Sequence, residues 1–258
     1  MLYSNQTFDT EMPSELSQAP SEFNAVKKHL RYKAKIDHVF PQKRRNSFEK
    51  ESQCFLGISL ENSNFTTGKL TGIVEWISRR FSLCTVLIGD SIHRITLESV
   101  GKLSGKEALD AALLLGEEFI QQQGAVFQHF AKATKFDFVT CGSIQKTPEY
   151  VTYLETLRQL FEQDAAFRMS IEAFGSNYHR KHSVGISLEA LKNRVALSAQ
   201  YFLEEFAIFS CLQQQGLGVM IYPGSFSTLA EIASDVHPAA PKELKMLTVV
   251  SLCLKGTR

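Results

Sequence analysis

Residues 54–65 read CFLGISLENSNF. Cys54, Phe55 and Leu56 open an apolar run that passes through Gly57-Ile58 and stops at Ser59. The residues after it, Glu61 to Asn64, are polar and read as a turn. A run that is apolar at successive positions predicts a strand buried on both faces, and so a parallel sheet between two layers of helix.

The chain outside this stretch repeats the pattern. Leu83–Ile88, Phe136–Cys141, Leu217–Tyr222 and Lys245–Leu254 read as further buried strands. Between them lie helical spacings. Leu70, Ile73, Val74, Ile77 and Phe81 mark a helix over Gly68–Phe81. Ser104-Gly-Lys-Glu107 resembles a capping box opening a long helix to about Phe130. Thr147-Pro148-Glu149 has the cap-then-proline order of a helix start. That helix runs to about Phe161, and more helix follows through Phe174. Ser187–Gln214 is a long amphipathic helix, and Phe226–Ser234 a short one. Strands alternating with helices give one doubly wound, Rossmann-like α/β domain with a parallel sheet covered by helices. In such sheets ligands bind beyond the carboxyl ends of the strands. Ser59, Asp90, Cys141-Gly142 and Tyr222 all fall there.

The 258 residues suffice for a sizeable core. The net charge of +1 gives no global field that would mark a nucleic-acid binder. Residues 1–25 carry four acidic residues and no basic one, and read as a mobile tail before a catalytic domain over 26–258. From Lys27 to Lys50 the sign reverses, with nine basic residues against two acidic ones. The five cysteines lie in or beside apolar stretches without a C-x-x-C pair, and read as small core residues of a reducing cytoplasm. No zinc-ligand spacing occurs. No signal segment is visible at the N-terminus, and no apolar run approaches the ~20 residues that span a bilayer. The expectation is a cytoplasmic protein without a membrane partner.

Three chemistries compete for Ser59. A serine hydrolase wants G-x-S-x-G, yet Gly57-Ile-Ser59-Leu-Glu61 carries glutamate at the second glycine. Its order Ser59, Asp90, His237 exists only on paper. A nucleotide site lacks both G-x-G-x-x-G before a helix and the P-loop pattern. The third reading is a serine that attacks an already activated ester, with other groups handling the proton. Tyr201 and Glu205 stand i and i+4 on one helix, so a phenol and a carboxylate share a face.

Several pieces together resemble the cyclodipeptide synthase family, which joins two aminoacyl-tRNAs into a cyclic dipeptide. Phe55-Leu-Gly-Ile-Ser59-Leu-Glu-Asn62 is similar to its first motif. Tyr201 with Glu205 matches the second, and Tyr222-Pro223 the third. Asn62 to Phe65, Trp76, Asp90 and "TPEY" (Thr147 to Tyr150) also fall in the family's order, from about Lys33 to the C-terminus. The resemblance implies a fold like the catalytic domain of class I tyrosyl- and tryptophanyl-tRNA synthetases, without ATP, metal or other cofactor. It implies that Ser59 accepts the first aminoacyl group and that Tyr201 and Glu205 hold its α-ammonium. Glu205 would relay protons, and Tyr222 would assist cyclisation. Tyr150 matches a position near the substrate, and Asn62 one that shapes the catalytic loop. The first aminoacyl pocket maps to Phe55, Gly57, Leu87, Cys141, Phe174, Ile208 and Met220. Phe55 and Leu87 are bulky, so a small or medium first side chain is expected. The implied partners are two aminoacyl-tRNAs and a downstream tailoring enzyme. A catalytically silent tRNA-binding module is the other class to exclude.

The chain departs from the family in three places. It combines Asn62 with Tyr222-Pro223, and is placed nearer the Tyr-Pro branch. Ala207 stands where a proline is usual. The helix after the second strand carries Lys102 and Lys106 but also Glu107, Asp110, Glu117 and Glu118, so it is a poor grip for tRNA. The grip is therefore expected on Lys27–Lys50, with Lys43, Arg44 and Arg45 central and Arg79, Arg80 and Arg94 contributing.

Overall fold

A computed structural model describes residues 31–100, 103–182, 187–224 and 228–257. The acidic stretch 1–25, Lys27 and Lys28 lie outside the described residues. Two strands come first among the described residues, β1 (Arg31–Phe40) and β2 (Gln53–Ile58). Next come α1 (Thr67–Ser78), β3 (Leu83–Ile88), α2 (Asp90–Ser99), α3 (Gly105–His129) and β4 (Lys135–Thr140). A helical stretch follows: α4 (Cys141–Ile144), α5 (Pro148–Gln163), α6 (Ala165–His182) and α7 (Leu188–Gln214). The last elements are β5 (Val219–Pro223), α8 (Thr228–Ala233), α9 (Lys242–Met246) and β6 (Thr248–Thr257).

Strands β2 to β6 are parallel, in the order β6-β5-β2-β3-β4. The chain moves outward from β2 to β4, then jumps back across β2 to form β5. The switch point is thus the gap between β2 and β5, where doubly wound sheets bind ligands. The two strands pair only at Phe55–Met220 and Leu56–Ile221, so their carboxyl ends diverge.

Alternation along the strands divides the core into two faces. Phe55, Leu87, Met220 and Val249 point into one cluster with α5, α6 and α7. Leu56, Ile58, Val86, Ile88 and Ile221 point into the other, under α1 and α3. Helix α7 is long and apolar enough to cross a membrane by composition, but 56% of its most apolar window is buried in the protein, so it is a core helix.

Three elements differ from the sequence expectation: β1, α2 and the last strand, which begins at Thr248 rather than Lys245 because Lys242–Met246 forms α9. The first part of the basic stretch is β1, an edge strand running antiparallel to β6. Ala34 and Val39 are buried while Lys33 and Lys35 are exposed, so it is an amphipathic edge blunted by charge. Gly72 lets α1 lie against it, because a Cβ there would meet the Tyr32 carbonyl oxygen at 2.5 Å. The second is α2, whose first turn buries Asp90, Ser91 and His93. The expected cap forms at Thr147, which accepts from the Tyr150 amide, and Ser187 caps α7 by accepting from the Ala190 amide. Ser104 makes no side-chain cap; the Gly105 amide donates to Glu98 Oε1 instead, at 3.1 Å.

Candidate active site

Strand β2 ends at Ile58 and the chain turns at once. Ser59 is the first residue beyond it, and the Asn62 amide donates to its carbonyl at 3.4 Å. Glu61, inside this turn, has φ of 57°, the left-handed region that strains a residue with a Cβ. The sharp turn therefore forms with glutamate where a hydrolase elbow would need glycine. His93 of α2 holds its carboxylate, Nε2 to Oε2 at 3.1 Å.

Asn62 joins this loop to the end of β5. Its Oδ1 accepts from the Asn64 amide at 2.9 Å, and its Nδ2 donates to the Tyr222 hydroxyl at 3.3 Å. Asn64 Nδ2 donates to the Pro223 carbonyl at 3.1 Å. Phe65 meets the Tyr222 ring edge-on, with centroids 5.8 Å apart. The two sides of the switch point are thereby stitched together, and the Tyr222 hydroxyl lies 2.9 Å from Ser59 Oγ.

Helix α7 supplies the remaining groups. Tyr201 lies beside Ser59, whose hydroxyl lowers the phenol slightly, and its own hydroxyl donates weakly to Glu205 Oε1 at 3.5 Å. Burial pushes the Glu205 carboxyl up to about 8, with the Tyr201 bond only partly opposing it. Burial and then the Glu205 charge hold the Tyr201 phenol well above its ordinary value. Burial also raises Tyr222, against the hydrogen bonds from Ser59 and Asn62. A hydroxyl, two neutral phenols and a carboxyl that titrates near neutrality thus lie together at the switch point. That set can accept an acyl group and move protons without a histidine.

The Ser59–Asp90–His237 arrangement of a hydrolase does not assemble. Asp90 Oδ1 accepts from the Gly142 amide at 2.9 Å, and His237 pairs with Glu231 at 3.1 Å while its ring packs on Phe167.

The residues expected to form the first pocket mostly come together. Phe55, Leu87, Cys141, Ile208 and Met220 belong to one buried cluster, which also holds Tyr150 and against which Tyr201 and Tyr222 pack. A Cβ on Gly57 would lie 3.6 Å from both Met220 and Tyr222, so this glycine borders the same space. Phe174 stands apart. It meets Phe202 edge-on at 5.0 Å, and Phe202 in turn meets Tyr201.

The basic residues divide. Lys33, Lys35, Arg79 and Arg80 line one open groove of about 250 Å³ between β1 and α1, with Glu75 and Trp76 between them. Arg80 stacks over Trp76 at 4.3 Å and pairs with Glu49, and Arg79 pairs with Glu75. Lys43 and Arg45 are exposed, whereas Arg44 is turned onto the Met246 carbonyl and Thr248. Arg94 is not on this surface; its guanidinium pairs with buried Glu204 at 2.6 Å. No motif in the sequence marks the role of His93 or Glu204, and Glu61 stands there only as the residue that breaks a hydrolase elbow. The only local signal for Glu204 is its place beside Glu205.

The family model described as cyclodipeptide synthase matches residues 38–211, more than half of the chain. Solved structures agree on the fold. A cyclodipeptide synthase from Fluoribacter dumoffii superposes with a TM-score of 0.75 at 19% identity, over 88% of this chain and 100% of that one. One from Candidatus Glomeribacter gigasporarum, bound to Phe-tRNAPhe, gives 0.64 at 18% identity, over 86% and 94%. The Mycobacterium tuberculosis structure that relates cyclodipeptide synthetases to type I tRNA synthetases gives 0.63 at 14% identity, over 88% and 94%. No curated protein sequence matches the chain.

Proposed function

Because the chain belongs to the cyclodipeptide synthase family, which makes cyclic dipeptides from aminoacyl-tRNAs, we propose that it does so by covalent ping-pong catalysis through Ser59. The observation that carries this reading is the 2.9 Å contact between Ser59 Oγ and the Tyr222 hydroxyl at the switch point, with Tyr201 and Glu205 in contact with each other beside them.

Ser59 Oγ attacks the ester carbonyl of the first aminoacyl-tRNA. The Oγ–C bond forms, the bond to the ribose oxygen breaks, and that oxygen leaves with the serine proton, passed through the adjoining phenols. The ester is already activated, so the step needs no nucleotide. Glu205 faces the α-ammonium of the bound aminoacyl group and takes a proton from it. Its value of about 8 lies close to that of an α-amino group, which favours transfer in both directions. The freed amine attacks the ester carbonyl of the second aminoacyl-tRNA. An amide bond forms, the second ribose leaves with a proton, and a dipeptidyl ester remains on Ser59. The terminal amine of that dipeptide attacks the Ser59 ester and closes the ring, and Tyr222 returns a proton to Ser59 Oγ.

Asn62 orients Tyr222 in this scheme, a role compatible with the Tyr-Pro branch, to which we assign the chain. Phe55 and Leu87, both fully packed, favour a small or medium first side chain. Tyr150 belongs to the same wall. The exposed face of β1, with Lys33 and Lys35, and the neighbouring Lys43 and Arg45 are the proposed tRNA grip, with Arg79 and Arg80 at the groove. The reaction is placed in the cytoplasm, where aminoacyl-tRNAs are available.

Product profiling of a bacterial culture expressing the chain tests the activity. Cyclic dipeptides are expected in the medium, and lost with Ser59→Ala. Equal yields from both proteins, or none from either, would overturn the proposal.

A further inference from the structure

Next to Glu205 on α7 stands a second carboxylate, Glu204, only 2% exposed. An α-helix turns about 100° per residue, so the two glutamates face different ways. Glu205 looks toward Tyr201, and Glu204 toward α2 and the junction of α4 with α5. Three donors converge on it. Arg94 Nη2 of α2 lies at 2.6 Å, Gln145 Nε2 just after α4 at 2.9 Å, and Gln200 Nε2 one turn earlier on α7 at 3.0 Å. The network continues in both directions. Gln145 Nε2 also donates to the Tyr150 hydroxyl at 3.2 Å, and Arg94 Nη1 to the Ser91 carbonyl at 2.9 Å.

Every element in this network borders the proposed site. Helix α7 carries Tyr201 and Glu205, α4 begins at Cys141, and α5 carries Tyr150. Helix α2 begins at Asp90, which already holds the Gly142 amide. Such a pair adds little to stability compared with a well-packed apolar contact, but losing one partner leaves a charge uncompensated in the interior. Its distinctive contribution is geometric, because the Arg94 guanidinium of α2 and the Gln145 amide beyond α4 hold Glu204 from two other elements and so limit the rotation of α7 about its axis, while Gln200, on α7 itself, only satisfies the carboxylate.

We propose that Glu204 and Arg94 are positioning residues of the aminoacyl site, fixing the rotation of α7 that turns Tyr201 and Glu205 toward Ser59 and, through Gln145, the place of the Tyr150 phenol. The proposal rests on the aminoacyl-Ser59 reading above. It gives Arg94 an internal role rather than a tRNA contact.

The test compares full-length wild type, Arg94→Gln, Glu204→Gln and the double variant. Each is mixed with a pool of charged tRNA at a temperature where circular dichroism shows it folded. The rate of Ser59 acylation in a single turnover is followed by intact mass across tRNA concentrations. Arg94→Gln is expected to slow the saturated rate on the order of 100-fold, the cost of misplacing a reacting group by about 1 Å, with its half-saturation unchanged. The double variant lacks the same pair and is expected to be about as slow as Arg94→Gln. Glu204→Gln, which keeps the shape and loses the charge, is expected to fall between Arg94→Gln and the wild type.

A folded Arg94→Gln that acylates at the wild-type rate would overturn the proposal. So would one that changes only half-saturation, or a double variant restored to the wild-type rate. If Arg94→Gln does not fold, Glu204→Gln decides, and a wild-type rate in it would overturn the proposal. If the wild type itself is not acylated, the Ser59 reading fails and this inference falls with it, a result distinct from all the others.

Discussion

Replacing Glu205 by glutamine is expected to stabilise the protein in alkaline solution. The carboxyl is raised from an ordinary 4.5 to about 8, chiefly by burial. Its folded value is above its unfolded one, so the folded state holds the proton more tightly. The stability that comes from staying neutral is complete below pH 4.5 and is lost as the pH rises through 8. Glutamine imitates the neutral acid and never ionises. At about 1.36 kcal/mol per unit, the variant's advantage is below about 1 kcal/mol at pH 5, about 3 at pH 7 and at most about 5 at pH 9. In a domain of this size the last figure corresponds to a melting-temperature gap on the order of 10 °C. Thermal and urea denaturation of both proteins at pH 5, 7 and 9 reads the gap directly. A gap that does not change with pH would refute the reasoning, because a packing effect of the substitution has no such dependence. The same variant should lose Ser59 acylation, since an amide can neither pair with an α-ammonium as an ion nor take its proton.

Glu61 offers a backbone test: at its φ of 57°, Glu61→Gly should exceed Glu61→Ala in stability by about 1 kcal/mol in urea denaturation. An alanine variant at least as stable would contradict the left-handed turn. For the tRNA grip, changing Lys33, Lys35, Lys43 and Arg45 to glutamine should weaken tRNA binding and flatten its salt dependence in filter-binding assays, by about 0.7–0.9 in slope for each phosphate no longer neutralised. An unchanged slope would remove this face from the account.

The strands of the central sheet were legible because burial on both faces leaves a continuous apolar signature, and β2 and β3 lie within a residue of where that signature puts them. Strand β1 was hidden by its position. An edge strand carries charge on its exposed side, so RYKAKIDHVF looks like part of a basic segment. Helix α2 was hidden for a different reason. Its buried polar residues break the apolar spacing, and their partners are far away in the chain, Glu61 for His93 and Glu204 for Arg94. Tyr201 and Glu205 could be paired from sequence because helical spacing fixes their mutual placement. The donors to Glu204 stand 110 and 59 residues away as well as one turn back, and only the folded chain assembles them. The Asn62–Tyr222 bond is of the same kind, joining a turn and a strand end 160 residues apart.

The central claim is that an aminoacyl group passes through an ester on Ser59. Mixing the protein with charged tRNA, quenching in acid within one turnover and recording the intact mass tests it most directly. The account predicts an added mass of one aminoacyl residue, located on the peptide that contains Ser59 and lost with Ser59→Ala. Cyclic dipeptide formed with no such adduct, or with the adduct on another residue, would contradict it.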